Sequence, residues 1–168
     1  LAGTQVLQGR ACCLGGFTRI DLSLALEETY GERMNTVKTL KHFKNGRSIA
    51  DTLNYMENLV KAGVDMFDVD LGCYDNWWLP HPPAGMPAGC FLDVSKVAKE
   101  YFAARGIKSN VGVEVPIVAV GKLGYPDIAE KALRDGKADM IMLGRPVLAD
   151  PDWCNKAYAG KVEEIRPC

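Results

Sequence analysis

The chain has 168 residues, 48% of them hydrophobic, and a formal net charge of −1. That length suits one soluble globular domain with a sizeable core, and the near-neutral charge argues against a dedicated nucleic-acid surface. No apolar run approaches a membrane span, no signal peptide is visible, and the chain starts at Leu1 rather than Met, so a native N-terminus is expected to be missing. The six cysteines (Cys12, Cys13, Cys73, Cys90, Cys154, Cys168) show no framework spacing, which points to reduced thiols and a cytoplasmic setting.

Residues 1–16 have weak periodicity and an Ala11-Cys12-Cys13 run, and receive no assigned structure. Residues 18–24 alternate, with Arg19, Asp21 and Ser23 on one face and Ile20, Leu22 and Leu24 on the other. This predicts a strand whose polar face meets a wet or ligand-filled interior. Residues 25–47 form a long charged excursion of the kind that carries function or partial helix. Ser48 is placed as the N-cap of a helix with an Ile49, Leu53, Met56, Val60 stripe, ended by Gly63. Residues 66–71 repeat the alternation, setting Asp68 and Asp70 against Phe67, Val69 and Leu71. The aromatic, proline-stiffened loop 72–91 (GCYDNWWLPHPPAGMPAGCF) suits a pocket lining, a lid or an interface patch. Asp93 is read as the cap of a helix with Val94, Val97, Ala98, Tyr101 and Phe102 on one side and Gly106 as its stop.

The remainder is organised around residues 115–151. The apolar run 115–120 (VPIVAV) reads as a parallel strand covered on both faces, broken by Gly121-Lys122-Leu123-Gly124. Pro126 suits the first turn of a helix carrying Ile128, Ala129, Ala132 and Leu133 on one face, with Gly136 as its stop. Residues 138–143 form the next strand, followed by Gly144-Arg145-Pro146, and a last helical turn carries Trp153 and Tyr158. Two successive parallel strands, each ending in glycine beside a cation, can aim N–H groups and positive charge at one anion, such as a phosphate. The alternative is that these glycines only make tight turns. Strands alternating with helices imply a parallel sheet with right-handed crossovers, about half of a (β/α)8 TIM barrel.

The segments RIDLS (19–23), DVDLGCYDNWWLPHPP (68–83), VPIVAVGK (115–122), DMIMLGRPVLADPDW (139–153) and EEIRPC (163–168) together resemble the C-terminal half of the flavin barrel of the Old Yellow Enzyme family. They are most similar to its iron–sulfur branch, which includes 2,4-dienoyl-CoA reductase and 2-enoate reductase. Within it, YDNWWLPHPP and ALEETYGERMNTVKTLKHFKNGRS resemble the bile-acid-inducible NADH:flavin oxidoreductases, which act on 3-oxo-Δ4 bile acids. The resemblance covers residues 17–168 as the barrel half (strands 5 to 8) and leaves 1–16 as an unassigned N-terminal segment.

The resemblance implies an FMN-dependent NADH oxidoreductase acting on an α,β-unsaturated carbonyl, with a steroid-like or enoyl acid as small-molecule substrate and no nucleic-acid or membrane partner. It gives Arg19 to the reduced flavin ring, and Gly121, Lys122, Gly144 and Arg145 to the FMN phosphate. Tyr74 and Asp75 fall at catalytic, substrate-side positions and Trp78 at a substrate-binding one. Dienoyl reductases carry a histidine near the Asp75 position, so the proton chemistry is expected to differ there. Cys168 matches the first cysteine of a 4Fe–4S cluster, which needs four thiolates. The resemblance adds FAD and NADH to the full-length parent, so this chain alone is expected to be inactive. Its partner is expected to be the missing barrel half or a second copy. Two other readings stay open: a non-catalytic half-barrel, and a non-flavin barrel binding a sugar phosphate. A structural ion pair of Arg19 with Asp21 or Asp68, a surface role for Lys122 and simple packing of Trp77 and Trp78 also stay open.

Overall fold

The computed structural model describes residues 10–14, 49–70 and 81–168. Within these, a four-stranded sheet runs β1 (Arg10–Leu14), β2 (Val64–Val69), β3 (Ile117–Ala119) and β4 (Met140–Ile141) in that spatial order, every neighbouring pair parallel. Parallel neighbours need crossovers. Helices α1 (Ile49–Lys61), α2 (Leu92–Arg105) and α3 (Pro126–Arg134) occupy the connections leading to β2, β3 and β4. Two short helices, α4 (Arg145–Ala149) and α5 (Trp153–Tyr158), and a 3-10 turn at Val162–Glu164 follow β4.

Strand β1 lies where no structure was expected. Its register against β2 pairs Ala11 with Met66 and Leu14 with Val69, after an irregularity between Arg10 and Ala11. Its sequence, RACCL, has no regular polar–apolar alternation of the kind that marks a half-buried strand. The strand expected at residues 18–24, and the Ser48 cap, lie outside the described residues.

The core forms where α1 and α2 cover β2 and β3. Of the expected α1 stripe, Leu53, Met56 and Val60 are buried with Phe67, Val69, Ala98, Phe102 and Ile117, while Ile49 is half-buried against them. Phe67 stacks on Phe102 with ring centroids 5.9 Å apart. A second cluster of Leu92, Ala119, Leu123, Ala132 and Ala138 seats α3 beside the ends of β3 and β4.

Several element details differ from expectation for identifiable reasons. The N-cap of α2 is Phe91, not Asp93. Asp93 sits inside the first turn, where a carboxylate still complements the helix dipole, and pairs with Lys137 at 3.4 Å. Val97 and Leu133, assigned to the apolar faces of α2 and α3, are each 37% exposed. The stops hold: Gly106 is left-handed (φ 61°), with the Ile107 N–H returning to Phe102 O at 3.0 Å. Strands β3 and β4 are shorter than the apolar runs that predicted them. Among the described residues no helix is long and apolar enough to cross a membrane.

Candidate functional site

Both strand-end turns open into one cavity of about 590 Å³. Gly121, Lys122 and Gly124 line it from the end of β3, and Gly144, Arg145 and Pro146 from the end of β4. The turns abut: a Cβ on Gly124 would stand 2.5 Å from Pro146 Cγ. At Gly121 the backbone is left-handed (φ 120°), and a Cβ there would collide with the ring of the buried Phe91. Glycine is therefore required at both positions, by close approach at one and by approach plus conformation at the other. At Gly144 a Cβ would meet open space, so this residue leaves room rather than filling it.

Lys122 does more than face the cavity. It is the non-glycine residue with positive φ (52°) among those described, and it fastens the loop on three sides. Its Nζ donates to the carbonyls of Ala84 and Met86, and its carbonyl accepts the Gly89 N–H at 3.0 Å. Arg145 Nη2 donates to Pro82 O at 3.0 Å. The two cations thus clasp residues 82–89 across the cavity. Neither is exhausted by this, since an ammonium has three donors and a guanidinium five. Both keep donors for an anion.

The C-terminal segment, including Ile165, Arg166, Pro167 and Cys168, also lines the cavity. It is held by Asp150, which is 2% exposed and accepts the Arg166 N–H at 2.8 Å, Lys156 Nζ at 2.7 Å and the Asp152 N–H at 3.1 Å. The Arg166 N–H, then Lys156, lowers the Asp150 pKa from 3.8 to about 2. A depressed carboxylate stabilises the fold above its unfolded value and ceases to do so as pH falls through about 2. Trp153 Nε1 donates to Gly124 O at 3.0 Å, tying α5 to the β3 turn. Behind the loop, burial pushes the Cys90 thiol up to about 11, despite Lys122 nearby. Cys90 is half-buried and packs against the main core cluster.

Of the residues singled out from sequence, Gly121, Lys122, Gly144, Arg145 and Cys168 come together around this cavity. Arg19, Tyr74, Asp75 and Trp78 lie outside the described residues. Cys168 is exposed, and among the described residues no group of three or more His, Cys, Asp or Glu could hold a metal ion. Asp150 and Trp153 were not assigned to the site from sequence. The available signal was the Asp150-Pro151-Asp152 turn, whose carboxylate bonds its own chain two residues on.

A model of the NADH:flavin oxidoreductase / NADH oxidase family matches residues 37–164. The chain is 35% identical over 125 residues to a cinnamate reductase of Clostridium sporogenes, covering 74% of this chain and 17% of that one. It is 32% identical over 126 residues to a bilirubin reductase of Mediterraneibacter gnavus, covering 74% and 18%. The solved structure of a 2-naphthoyl-CoA reductase complex superposes with a TM-score of 0.58 at 24% identity, covering 74% of this chain and 17% of that one, and bears on fold alone. The chain spans about a sixth of the length of these relatives. Family membership implies the TIM-barrel flavoenzyme fold, in which the parallel β2–β4 arc with glycine turns at its strand ends has a natural place. Converging turns, parallel order and a match over most of the sequence agree: the chain belongs to the NADH:flavin oxidoreductase / NADH oxidase family.

Proposed function

We propose that this chain is the C-terminal, phosphate-side half of the FMN barrel of an ene-reductase acting on an α,β-unsaturated carbonyl compound. The observation that carries the reading is the single cavity shared by the Gly121-Lys122 and Gly144-Arg145 turns. The fit to FMN is chemical: a glycine-lined approach for a phosphate and two cations with donors to spare. FMN, when bound, supplies hydride transfer between NADH and the conjugated substrate. Arg145 and Lys122 would hold its phosphate, and Arg19 would balance negative charge on the reduced ring. Tyr74 and Asp75 would manage the proton, and Trp78 would pack the substrate.

A cinnamate reductase and an NADH:acrylate oxidoreductase among the relatives are named for compounds with unsaturation conjugated to a carbonyl, which supports the substrate class. Within it, the 74–83 loop leads us to a 3-oxo-Δ4 bile acid. Cys168 would be one thiolate of a 4Fe–4S cluster whose other ligands lie outside the described residues, in a cytoplasmic parent that also carries FAD. The sheet's outer strands, β1 and β4, would pair with the complementary barrel half.

The test is Arg145→Ala in the FMN-binding protein. A charge-assisted bond to phosphate contributes about 1.5–3 kcal/mol, so FMN affinity should fall roughly 10- to 100-fold. Unchanged FMN affinity would refute the phosphate role.

A further inference from the structure

We propose that Asp150 is a positioning residue, whose buried carboxylate holds residues 162–168 against the strand-end turns and thereby places Cys168 at the cavity wall. A carboxylate this buried must be satisfied by partners. Those partners share a direction: Asp152, Lys156 and Arg166 all belong to the chain beyond the second turn. On its other side, the Asp150 N–H donates to Pro146 O at 2.9 Å, which joins it to the turn carrying Arg145. Lys156 Nζ reinforces the hold by donating also to Glu164 O at 3.0 Å. Past the 3-10 turn the chain is extended at Ile165 (φ −71°, ψ 124°) and belongs to neither sheet nor helix. The main-chain bond from Arg166 to Asp150 therefore sets where the last residues lie. What Cys168 does there rests on the function proposed above; that Asp150 places it does not.

The experiment measures capture of Cys168 by a short bis-maleimide to a second thiol introduced by Ala84→Cys, another residue lining the cavity, without flavin. The cross-linked peptide pair that joins position 84 to Cys168 is quantified by mass spectrometry. In that background, Arg166→Ala keeps the backbone N–H and Arg166→Pro removes it. The ψ of Ile165 already suits a following proline. Arg166→Ala should cross-link as the parent does, Arg166→Pro should fall about tenfold, the loss expected for one hydrogen bond to a carboxylate, and Asp150→Ala, which removes all three, should fall at least as far. Asp150→Asn, which keeps an acceptor oxygen, should restore most of the yield. Because Arg166 belongs to neither helix nor strand, its substitution leaves the fold standing even if Asp150→Ala does not. Equal yields from Arg166→Pro and Arg166→Ala would overturn the proposal. Failure of the chain to bind FMN would count against the proposed function and leave this result unaffected.

Discussion

Asp139 and Ile117 hold each other twice: the Asp139 N–H donates to Ile117 O at 2.8 Å, and the Ile117 N–H donates to Asp139 Oδ2 at 2.8 Å. The same carboxylate takes Lys99 Nζ from α2. One side chain thereby joins the start of β3, the approach to β4 and a covering helix. Removing it leaves the N–H of the fully buried Ile117 without its acceptor. Asp139→Ala should cost about 1–3 kcal/mol, read as a lower chemical-denaturation midpoint at unchanged slope. Asp139→Asn should recover part of this, since the amide oxygen still accepts from Ile117.

Gly121→Ala combines a conformational and a steric penalty. The new Cβ would be forced into a left-handed backbone and against Phe91, which is 3% exposed and has nowhere to retreat. We expect a loss of about 2–4 kcal/mol. Gly144→Ala, facing open space, should cost far less. Thermal unfolding of the two variants side by side checks the contrast.

Cys90 and Cys154 should differ sharply in reactivity. With the Cys90 thiol raised to about 11 by burial, only about one molecule in a thousand carries the thiolate at pH 8. Iodoacetamide should modify the exposed Cys154 and Cys168 before the half-buried Cys90. The Cys90 rate should climb with pH toward 11. Equal rates at pH 8 would mean the loop clasped by Lys122 does not cover it.

How much of this was legible in the sequence depends on the distance over which each feature is decided. The α1 stripe, the Gly106 and Gly136 stops and the two glycine turns are local, and they were readable from spacing and residue type. The apolar runs located β3 and β4 but overstated their lengths, because hydropathy marks burial and not hydrogen-bond pairing. Strand β1 gave no alternation to read. The clasp from Lys122 to Ala84 and Met86 joins residues far apart in sequence, and nothing local to Lys122 announces it. Asp150 received no role from the sequence, since that role depends on Arg166 returning to it.

In the proposed function, the turns at Gly121 and Gly144 receive the phosphate of FMN. Riboflavin carries the same ring without that phosphate, so the most direct measurement is a pair of titrations of the chain, FMN against riboflavin. Each is followed at the backbone amides of Gly121 and Gly144 by nuclear magnetic resonance. FMN should shift both amides, riboflavin should leave them in place, and Arg145→Ala should remove the difference. If FMN and riboflavin shift the same amides equally, or if FMN binds with Gly121 and Gly144 unmoved, the claim is contradicted.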